Sequence, residues 1–451
     1  MRLTLPWLTS MLVATACLIA QPAITPLPLD AILLRANMWE LDQQALDAEL
    51  TALHFEWISA ARDVARSSAP GLVFRHRSLN EAIFAYRNGK LAEARLSYFN
   101  RGDSPALQED EFEALLAGIT ADLSSATGVE PAERGRDPGN VVRAQGRFWD
   151  AGGTRYLLEW SATKASNARA IPFRAEFIRL TLRPLPLMRT PVGAVPVRTR
   201  DTVKAFVGRE HVERLPNGDA KLKDLPMVDQ GQKGYCVVAS VERIMRYYGA
   251  TVDQHELAQI ANTDASLGTS TGAMLSSLRR LTGRLGIKVR SLYQWDVRDF
   301  LKLVDDYNRA TKRGKLAAEL RLPYAIDSDT FFAEVKPEIY REVRMKSAAD
   351  FGRFQRDIHR NIDEGVPLLW SVHLGIVKET NSPQPTGGHM RIILGYNQAT
   401  SEILYSDSWG QGHEEKRMPM NAPGQSRTAS ASFNHSPDTP TKLASVSRAA
   451  E

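Results

Sequence analysis

The chain has 451 residues, of which 43% are hydrophobic and 24% are charged, a composition typical of soluble globular proteins. This length exceeds what one small hydrophobic core needs, and it predicts two domains or three. The 57 Lys and Arg residues against 52 Asp and Glu residues leave a net charge of +5, and because these charges are spread along the chain we expect no nucleic-acid partner.

The N-terminus has the pattern of a secretory signal peptide. Arg2 supplies a positive charge, residues 3–19 are mostly apolar, and Ala20 is one of several small residues near the expected cleavage point. We predict that residues 1–20 are a signal peptide and that the mature protein is exported to the periplasm, the cell envelope or the extracellular space. Two alternatives stay open. Residues 14–17 resemble a bacterial lipoprotein processing site, which would lipidate Cys17, and the apolar stretch is close to the length of a membrane anchor.

The chain contains two cysteines, Cys17 and Cys236. If the leader is removed, or if Cys17 is lipidated, the mature protein keeps one free thiol and cannot form an internal disulfide. A single cysteine in an exported chain is either incidental or reactive.

Residues 21–200 are predicted to form a small α+β domain followed by a linker. A mainly helical pattern over 41–67 precedes short strands, two hairpins and a helix over 109–127. The first hairpin turns at Asn88 and Gly89, a pair that favours the tight turn of an antiparallel sheet. A proline-rich stretch at the end of this region predicts the linker.

Residues 201–420 are predicted to form a second domain, which begins with an unusual loop and helix. Apolar residues recur at three- and four-residue spacing after Cys236, which predicts an amphipathic helix ending at Gly249. The thiol of Cys236 would then lie at a helix N-terminus, where unpaired N–H groups and the helix dipole favour a thiolate. The alternative interpretation is that Cys236 is a small buried residue, as most free cysteines are.

The remainder of this second domain changes from helices to strands. Its charged segments over 294–364 are mostly helical, and they follow a predicted strand over 287–292. Three apolar runs then predict strands of one antiparallel sheet, over 366–372, 389–396 and 402–406. After residue 420 the chain is rich in Ser, Ala, Pro and Thr, so residues 421–451 are predicted to be disordered.

Two further residues have the surroundings expected of a catalytic site. His389 follows a glycine pair at the start of a predicted strand, and Asp407 follows the next strand and precedes Ser-Trp-Gly. Trp409 is expected either to shield the contact between these two side chains from water or to be a core residue. The alternative histidines for a general base are His255, His373 and His413.

These residues together resemble the papain-like cysteine peptidases. The resemblance covers about residues 224–412 and consists of Gln230 and Cys236 in Q-G-x-x-G-x-C, then His389, then Asp407 before Ser-Trp-Gly. It implies that Cys236 is the nucleophile, His389 the general base and later the acid, Asp407 the residue that orients His389, and Gln230 an oxyanion donor. It also implies a two-lobe α+β fold. Aspartate in place of papain's asparagine is similar to the group related to the double-glycine leader peptidases of bacteriocin export.

The resemblance implies an exported cysteine peptidase acting on peptides or proteins, with no cofactor and no metal. The N-terminal domain would then be either an inhibitory prosegment or an accessory binding module. Two other functions stay open: a thiol amidase or acyltransferase acting on cell-wall or isopeptide amides, and a peptide-binding module without turnover. The last is motivated by the apparent lack of a sheet strand after residue 420.

Overall fold

A computed structural model describes most of the chain beyond the N-terminus. The described residues are 25–134, 142, 144–163, 172–185, 207–231, 234–250, 252–261, 263, 272, 274–279, 287–294, 297–314, 320–322, 328–345, 348–376, 379–421 and 429–435. The predicted signal peptide, Cys17 and most of the predicted linker lie outside them. Among the described helices, none combines the length and the hydropathy that a membrane span needs.

The N-terminal region, residues 25–185, is built on an eight-stranded antiparallel sheet of order β2-β3-β6-β7-β11-β10-β9-β8, beside a small sheet of β1, β4 and β5. Its elements are β1 (Leu27–Pro28), α1 (Asp30–Leu33), α2 (Gln43–Ala52), β2 (Glu56–Trp57), β3 (Val64–Ser67), β4 (Leu72–Phe74), β5 (Arg77–Ser78), β6 (Glu81–Arg87), β7 (Lys90–Asn100), α3 (Glu109–Thr127), β8 (Ala132–Glu133), β9 (Gln145–Ala151), β10 (Thr154–Thr163) and β11 (Arg174–Pro184).

Local sequence explains several of these elements. The β6–β7 hairpin turns at Asn88 and Gly89, whose φ angles of 52° and 77° are the left-handed pair that this tight turn requires. Helix α3 has the predicted bounds, and the Glu111 carboxylate accepts a hydrogen bond of 2.9 Å from the backbone N–H of Gln108 just before the first turn. The predicted helix over 41–67 is wrong beyond Ala52. Residues 64–67 instead pair with β6, a contact between distant residues that local periodicity cannot report.

The C-terminal region, residues 207–435, begins with two short strands, continues with helices that have one strand among them, and ends with a series of strands. Its elements are a short 3-10 turn (Gly208–His211), β12 (Val212–Arg214), β13 (Asp219–Leu222), α4 (Cys236–Tyr247), α5 (Gln254–Ala261), β14 (Ile287–Gln294), α6 (Val297–Gly314), α7 (Ser328–Glu334), α8 (Pro337–Met345), α9 (Ala348–Asp363), β15 (Leu368–Leu374), β16 (Gly387–Asn397), β17 (Glu402–Ser406), β18 (Lys416–Pro419) and β19 (Ala429–His435). The protein is therefore a mixed α+β structure, as predicted.

One antiparallel sheet organises the C-terminal region. Its order is β12-β13-β16-β15-β19-β14, and β17 pairs with β16 and with β18. Alternate residues of the central strands face two different cores. Leu369, Met390 and Ile392 are buried against α4 and α5, whereas Trp370 and Ile393 are buried with the apolar residues of α9. The sheet therefore holds helix α4 on one face.

Strand β19 corrects the predicted disorder of residues 421–451. Residues 429–435 form a strand that pairs with both β15 and β14, so the prediction was wrong for this segment. The segment carries little hydrophobic signal because it is rich in Ser and Ala, and it joins the sheet through backbone hydrogen bonds, which composition does not encode. The other residues of the predicted tail after Asn421 lie outside the described part of the chain.

We expect a chain that ends at Asn421 to be less stable than one that ends at His435, by about 3 kcal/mol or more. Removing β19 leaves β15 and β14 without the strand between them, and several backbone hydrogen bonds are lost. Urea unfolding followed by far-UV circular dichroism measures the difference. Equal midpoints for the two chains would contradict a structural role for β19.

Candidate active site

Cys236 is the first residue of helix α4 and is half-buried. Unpaired N–H groups and the positive end of the helix dipole are therefore close to its thiol. Gln230 lies six residues earlier and is 4% exposed. Its backbone N–H donates a hydrogen bond of 2.8 Å to the carbonyl oxygen of Ser408. This bond ties the segment that precedes the thiol to the segment that follows Asp407.

His389 and Asp407 form a buried pair. Nε2 of the imidazole lies 3.0 Å from Oδ1 of the carboxylate, and neither side chain is exposed to solvent. The indole of Trp409 stacks on the imidazole with ring centroids 4.1 Å apart and planes 10° apart. The pair is thus separated from water by an aromatic ring, and water would otherwise compete for its hydrogen bond.

The pKa of His389 depends on both neighbours. Burial lowers this pKa, but the hydrogen bonds and charges of Asp407 and of the Cys236 thiolate outweigh burial and raise it above its ordinary value of 6.5. Because Asp407 binds Nε2, Nδ1 is the ring nitrogen left to face the thiol. Among the described residues, Nδ1 of His389 is buried and has no partner within hydrogen-bond distance. The arrangement therefore favours the protonated imidazole of His389.

Asp407 is held by two further cations that sequence reasoning missed. Arg391 donates from Nε to Oδ1 at 2.9 Å, and Nζ of Lys416 lies 3.1 Å from Oδ2. Arg391 also binds both carboxylate oxygens of Glu379, at 2.9 and 2.7 Å. Burial raises the pKa of Asp407. The hydrogen bond from His389 and the charges of His389, Arg391 and Lys416 lower it by a larger amount, so the pKa lies well below its ordinary value. The spacing of Arg391 two residues after His389 on one strand is a signal that could have revealed it.

Arg243 connects helix α4 to the strand end that carries Asp407. Its guanidinium is 1% exposed and makes three hydrogen bonds, to the carbonyl of Pro226 at 2.8 Å, the carbonyl of Asp407 at 3.0 Å and Oγ of Ser406 at 2.7 Å. Burial lowers its pKa to about 10, so the side chain stays protonated at neutral pH. Sequence reasoning missed this residue because it sits among the apolar positions of α4.

Replacing Arg243 by methionine should destabilise the protein by about 3 kcal/mol, because two buried acceptor groups, on Asp407 and Ser406, and the partly buried carbonyl of Pro226 lose their donor. Urea unfolding measures the loss. Arg353→Met on α9 is the matched control, since its ion pair with Asp350 is exposed and should be worth less than about 0.5 kcal/mol. Equal effects of the two substitutions would contradict the role of Arg243.

The other candidate histidines lie elsewhere. His373, on β15, stacks on Phe332 with ring centroids 4.5 Å apart. His255 faces the N-terminal region, where its Nε2 lies 3.2 Å from Glu81. His413 contacts the edge of Trp409, and its backbone carbonyl accepts from the N–H of Asp407 at 3.1 Å. His389 is therefore the histidine that the structure brings to both Cys236 and Asp407.

A cavity of about 750 Å³ opens beside Gln230 and Trp409. Residues from the N-terminal region, among them Glu56 and Arg66, form part of its lining. No group of three or more His, Cys, Asp or Glu side chains that could hold a metal ion occurs within the described ranges. The cavity adjoins the predicted site through Gln230 and Trp409, whereas Cys236 and His389 are not among the residues that line it.

A thiol, an imidazole and a carboxylate are the groups that thiol hydrolases use. Comparison with known proteins agrees at this level. A family model described as "Peptidase_C39 like family" matches residues 324–432. This match supports a relation to papain-like cysteine peptidases and an assignment as a peptidase of the cysteine type. The matched part is about a quarter of the chain and includes His389 and Asp407. A search of curated proteins finds no match.

Proposed function

We propose that this protein is a cysteine peptidase that hydrolyses peptide bonds through Cys236, His389 and Asp407, with Gln230 as an oxyanion donor. The observation that carries the proposal is the buried imidazole of His389, which is bound to Asp407 and lies near enough to Cys236 for that residue to help raise its pKa. The family match over residues 324–432 supports the same class of reaction.

In the proposed reaction the sulfur of Cys236 attacks the carbonyl carbon of the peptide bond as a thiolate. The C–N bond breaks as the imidazolium of His389 gives its Nδ1 proton to the leaving amine, which leaves an acyl group on sulfur. Water then attacks this thioester while His389 accepts the water's proton, and the thiolate returns. Asp407 stays ionised throughout and keeps the ring in one orientation.

The negative charge that forms on the substrate oxygen needs hydrogen-bond donors. The backbone N–H of Cys236 is at the start of α4, where helix geometry leaves it without a partner inside the helix. The side-chain amide of Gln230 is the second proposed donor. Its main chain is fixed by the bond to Ser408, and a fixed donor costs little reorganisation when the charge appears.

We further propose the two-lobe arrangement of the papain-like fold, with α4 in one lobe and the sheet of β15, β16 and β17 in the other. The aspartate at position 407 supports a relation to the double-glycine leader peptidase group. Export through residues 1–20 is proposed from the apolar N-terminal pattern, and Cys17 as a lipid attachment site is its alternative. The alternative of a peptide-binding module without turnover was motivated by the apparent lack of a sheet strand after residue 420. Strand β19 pairs with β15 and supplies such a strand, which weakens that motive.

Two measurements test the proposal. Purified protein is incubated with an unstructured protein substrate and, in parallel, with peptidoglycan and amine acceptors, using Cys236→Ala as the blank. We expect cleavage of the protein substrate by the wild type only. Turnover of peptidoglycan or amine acceptors alone would replace the peptidase by an amidase or acyltransferase. In the second measurement, Cys236 is labelled with iodoacetamide at mildly acidic pH. If it reacts no faster than a free thiol, the proposed catalytic role of Cys236 is wrong.

A further inference from the structure

The N-terminal region contacts the residue that precedes each of two proposed site residues. Asp229 comes directly before Gln230, and Tyr235 comes directly before Cys236. Arg66 of β3 places Nη1 3.1 Å from Oδ2 of Asp229. The hydroxyl of Tyr235 donates to Oδ1 of Asn100, at the end of β7, at 3.0 Å. Two strands of one rigid sheet therefore hold the chain on both sides of Gln230.

Arg66 is itself fixed. It is 7% exposed, and its Nε donates to the buried carboxylate of Glu81 on β6. Its guanidinium packs so closely on the Gln230 turn that a Cβ added at Gly231 would overlap it. Asp229 shapes the same turn, because its Oδ1 accepts from the N–H of Gly231 at 2.8 Å. The position of the Gln230 main chain thus depends on a side chain from the N-terminal region.

A second set of contacts joins the same sheet to helix α5. Arg179 of β11 lies 3.0 Å from Asp253 and 2.8 Å from Glu256, and Arg95 of β7 lies 3.1 Å from Asp253. All four side chains are largely buried. Release of the N-terminal region would leave these carboxylates without their cations, and breaking such buried pairs is strongly unfavourable.

The N-terminal region also contributes to the cleft. The cavity of about 750 Å³ is lined by His54, Glu56 and Arg66 together with Gln230 and Trp409. The backbone N–H of Ala60 also donates to the carboxylate of Glu414, in the segment that follows Trp409, at 3.2 Å. The N-terminal region therefore contacts both the Gln230 turn and the segment that follows Trp409.

We propose that the N-terminal region is a permanent part of the active site and that Arg66 is a positioning residue that fixes the Gln230 oxyanion donor. The inference rests on the proposed function. It disagrees with the alternative in which the N-terminal region is an inhibitory prosegment that is removed from the active enzyme. Arg66 acts through Asp229 and the turn, so its loss weakens stabilisation of the oxyanion without disturbing the pairing of Cys236 with His389.

The first test uses Asp229→Asn, which removes the charge that binds Arg66 but leaves the Arg66 and Glu81 pair and an acceptor for Gly231. We expect kcat to fall about 10- to 10²-fold with KM, the pH profile and the rate of Cys236 alkylation nearly unchanged. Arg66→Lys should keep more activity than Arg66→Met. Arg155→Met, whose ion pair with Asp150 is exposed, is the control. A wild-type kcat for Asp229→Asn overturns the positioning role.

The second test cuts the full chain. A recognition sequence for a site-specific protease is placed within residues 186–206, and the folded protein is cleaved there. We expect the two fragments to elute together in size-exclusion chromatography and to keep full activity. Separation of the fragments with a rise in activity would overturn the inference and restore the prosegment. If instead the uncut wild type cleaves no substrate and Cys236 is not labelled, the proposed function fails, whatever the fragments do.

Discussion

Replacing His389 by alanine is expected to lower kcat/KM by about 10³- to 10⁴-fold. In the proposed mechanism, the substitution removes the proton donor for the leaving amine and the cation that pairs with the thiolate of Cys236. Alkylation of Cys236 by iodoacetamide at mildly acidic pH should slow by about 10²-fold or more, because an unassisted thiol is almost entirely protonated there. Mass mapping of the labelled cysteine separates this effect from any loss of substrate binding.

His373→Ala is the matched control for this prediction. His373 lies in the neighbouring strand β15 of the same sheet, but its ring stacks on Phe332 rather than on the site. We expect nearly wild-type turnover and labelling. Equal loss of labelling in both variants would show that the thiol responds to sheet stability alone, which contradicts a specific pairing with His389.

Replacing Asp407 by alanine is expected to reduce both stability and turnover. Its carboxylate pairs with the positive charges of His389, Arg391 and Lys416. Because removing one partner of a buried ionic group leaves the others uncompensated, the free energy of unfolding should fall by about 3–5 kcal/mol. The imidazole also loses the group that orients it, so kcat/KM should fall by about 10²- to 10⁴-fold. Urea unfolding and peptide turnover, measured on the same preparation, give the two quantities.

Asp219→Ala separates the two effects. Asp219 is also a fully buried carboxylate, paired with Arg417 and bound by Asn397, but it lies on β13 outside the site. This variant should lose stability and keep its activity at a temperature where it is folded. If Asp219→Ala and Asp407→Ala lose activity equally under those conditions, the orienting role of Asp407 is wrong.

Asp407→Asn tests the charge alone through pH dependence. Because Asp407 helps raise the pKa of His389, the alkaline limb of kcat/KM should move to lower pH in this variant. The pKa of Asp407 is lowered in the folded protein, so its charge stabilises the fold above the ordinary carboxyl pKa of 3.8, and this contribution is lost as pH falls below that value. The stability difference between wild type and Asp407→Asn should therefore shrink at acidic pH.

Sequence patterns located many elements because their causes are local. The bounds of α3 follow from a first-turn glutamate and a continuous apolar stripe, and the β6–β7 hairpin follows from Asn88 and Gly89. The same reasoning failed for residues 53–67 and for β19. In both segments the strands are formed by pairing with distant residues, which overrides weak local preference.

The candidate site divides in the same way. The sequence singled out Gln230, Cys236, His389 and Asp407 because their residue types and their neighbours form recognisable patterns. It did not reveal Arg391, Lys416 or Arg243, whose roles depend on being buried against Asp407 or its backbone. For Arg391 the spacing of two residues from His389 on one strand was a usable signal. For Lys416 and Arg243, nothing in the neighbouring sequence distinguishes a buried ionic partner from a solvent-exposed charge.

The amino-acid sequence by itself determined the order of the candidate residues, the start of the helix that carries Cys236, and the apolar runs that form strands of the C-terminal sheet. Only the tertiary structure decided that His389 is buried under Trp409, that two more cations hold Asp407, and that Arg66 supports the Gln230 turn. The physical reason is that periodicity reports which side of an element is apolar. Which distant side chain meets that element depends on the packing of the whole chain.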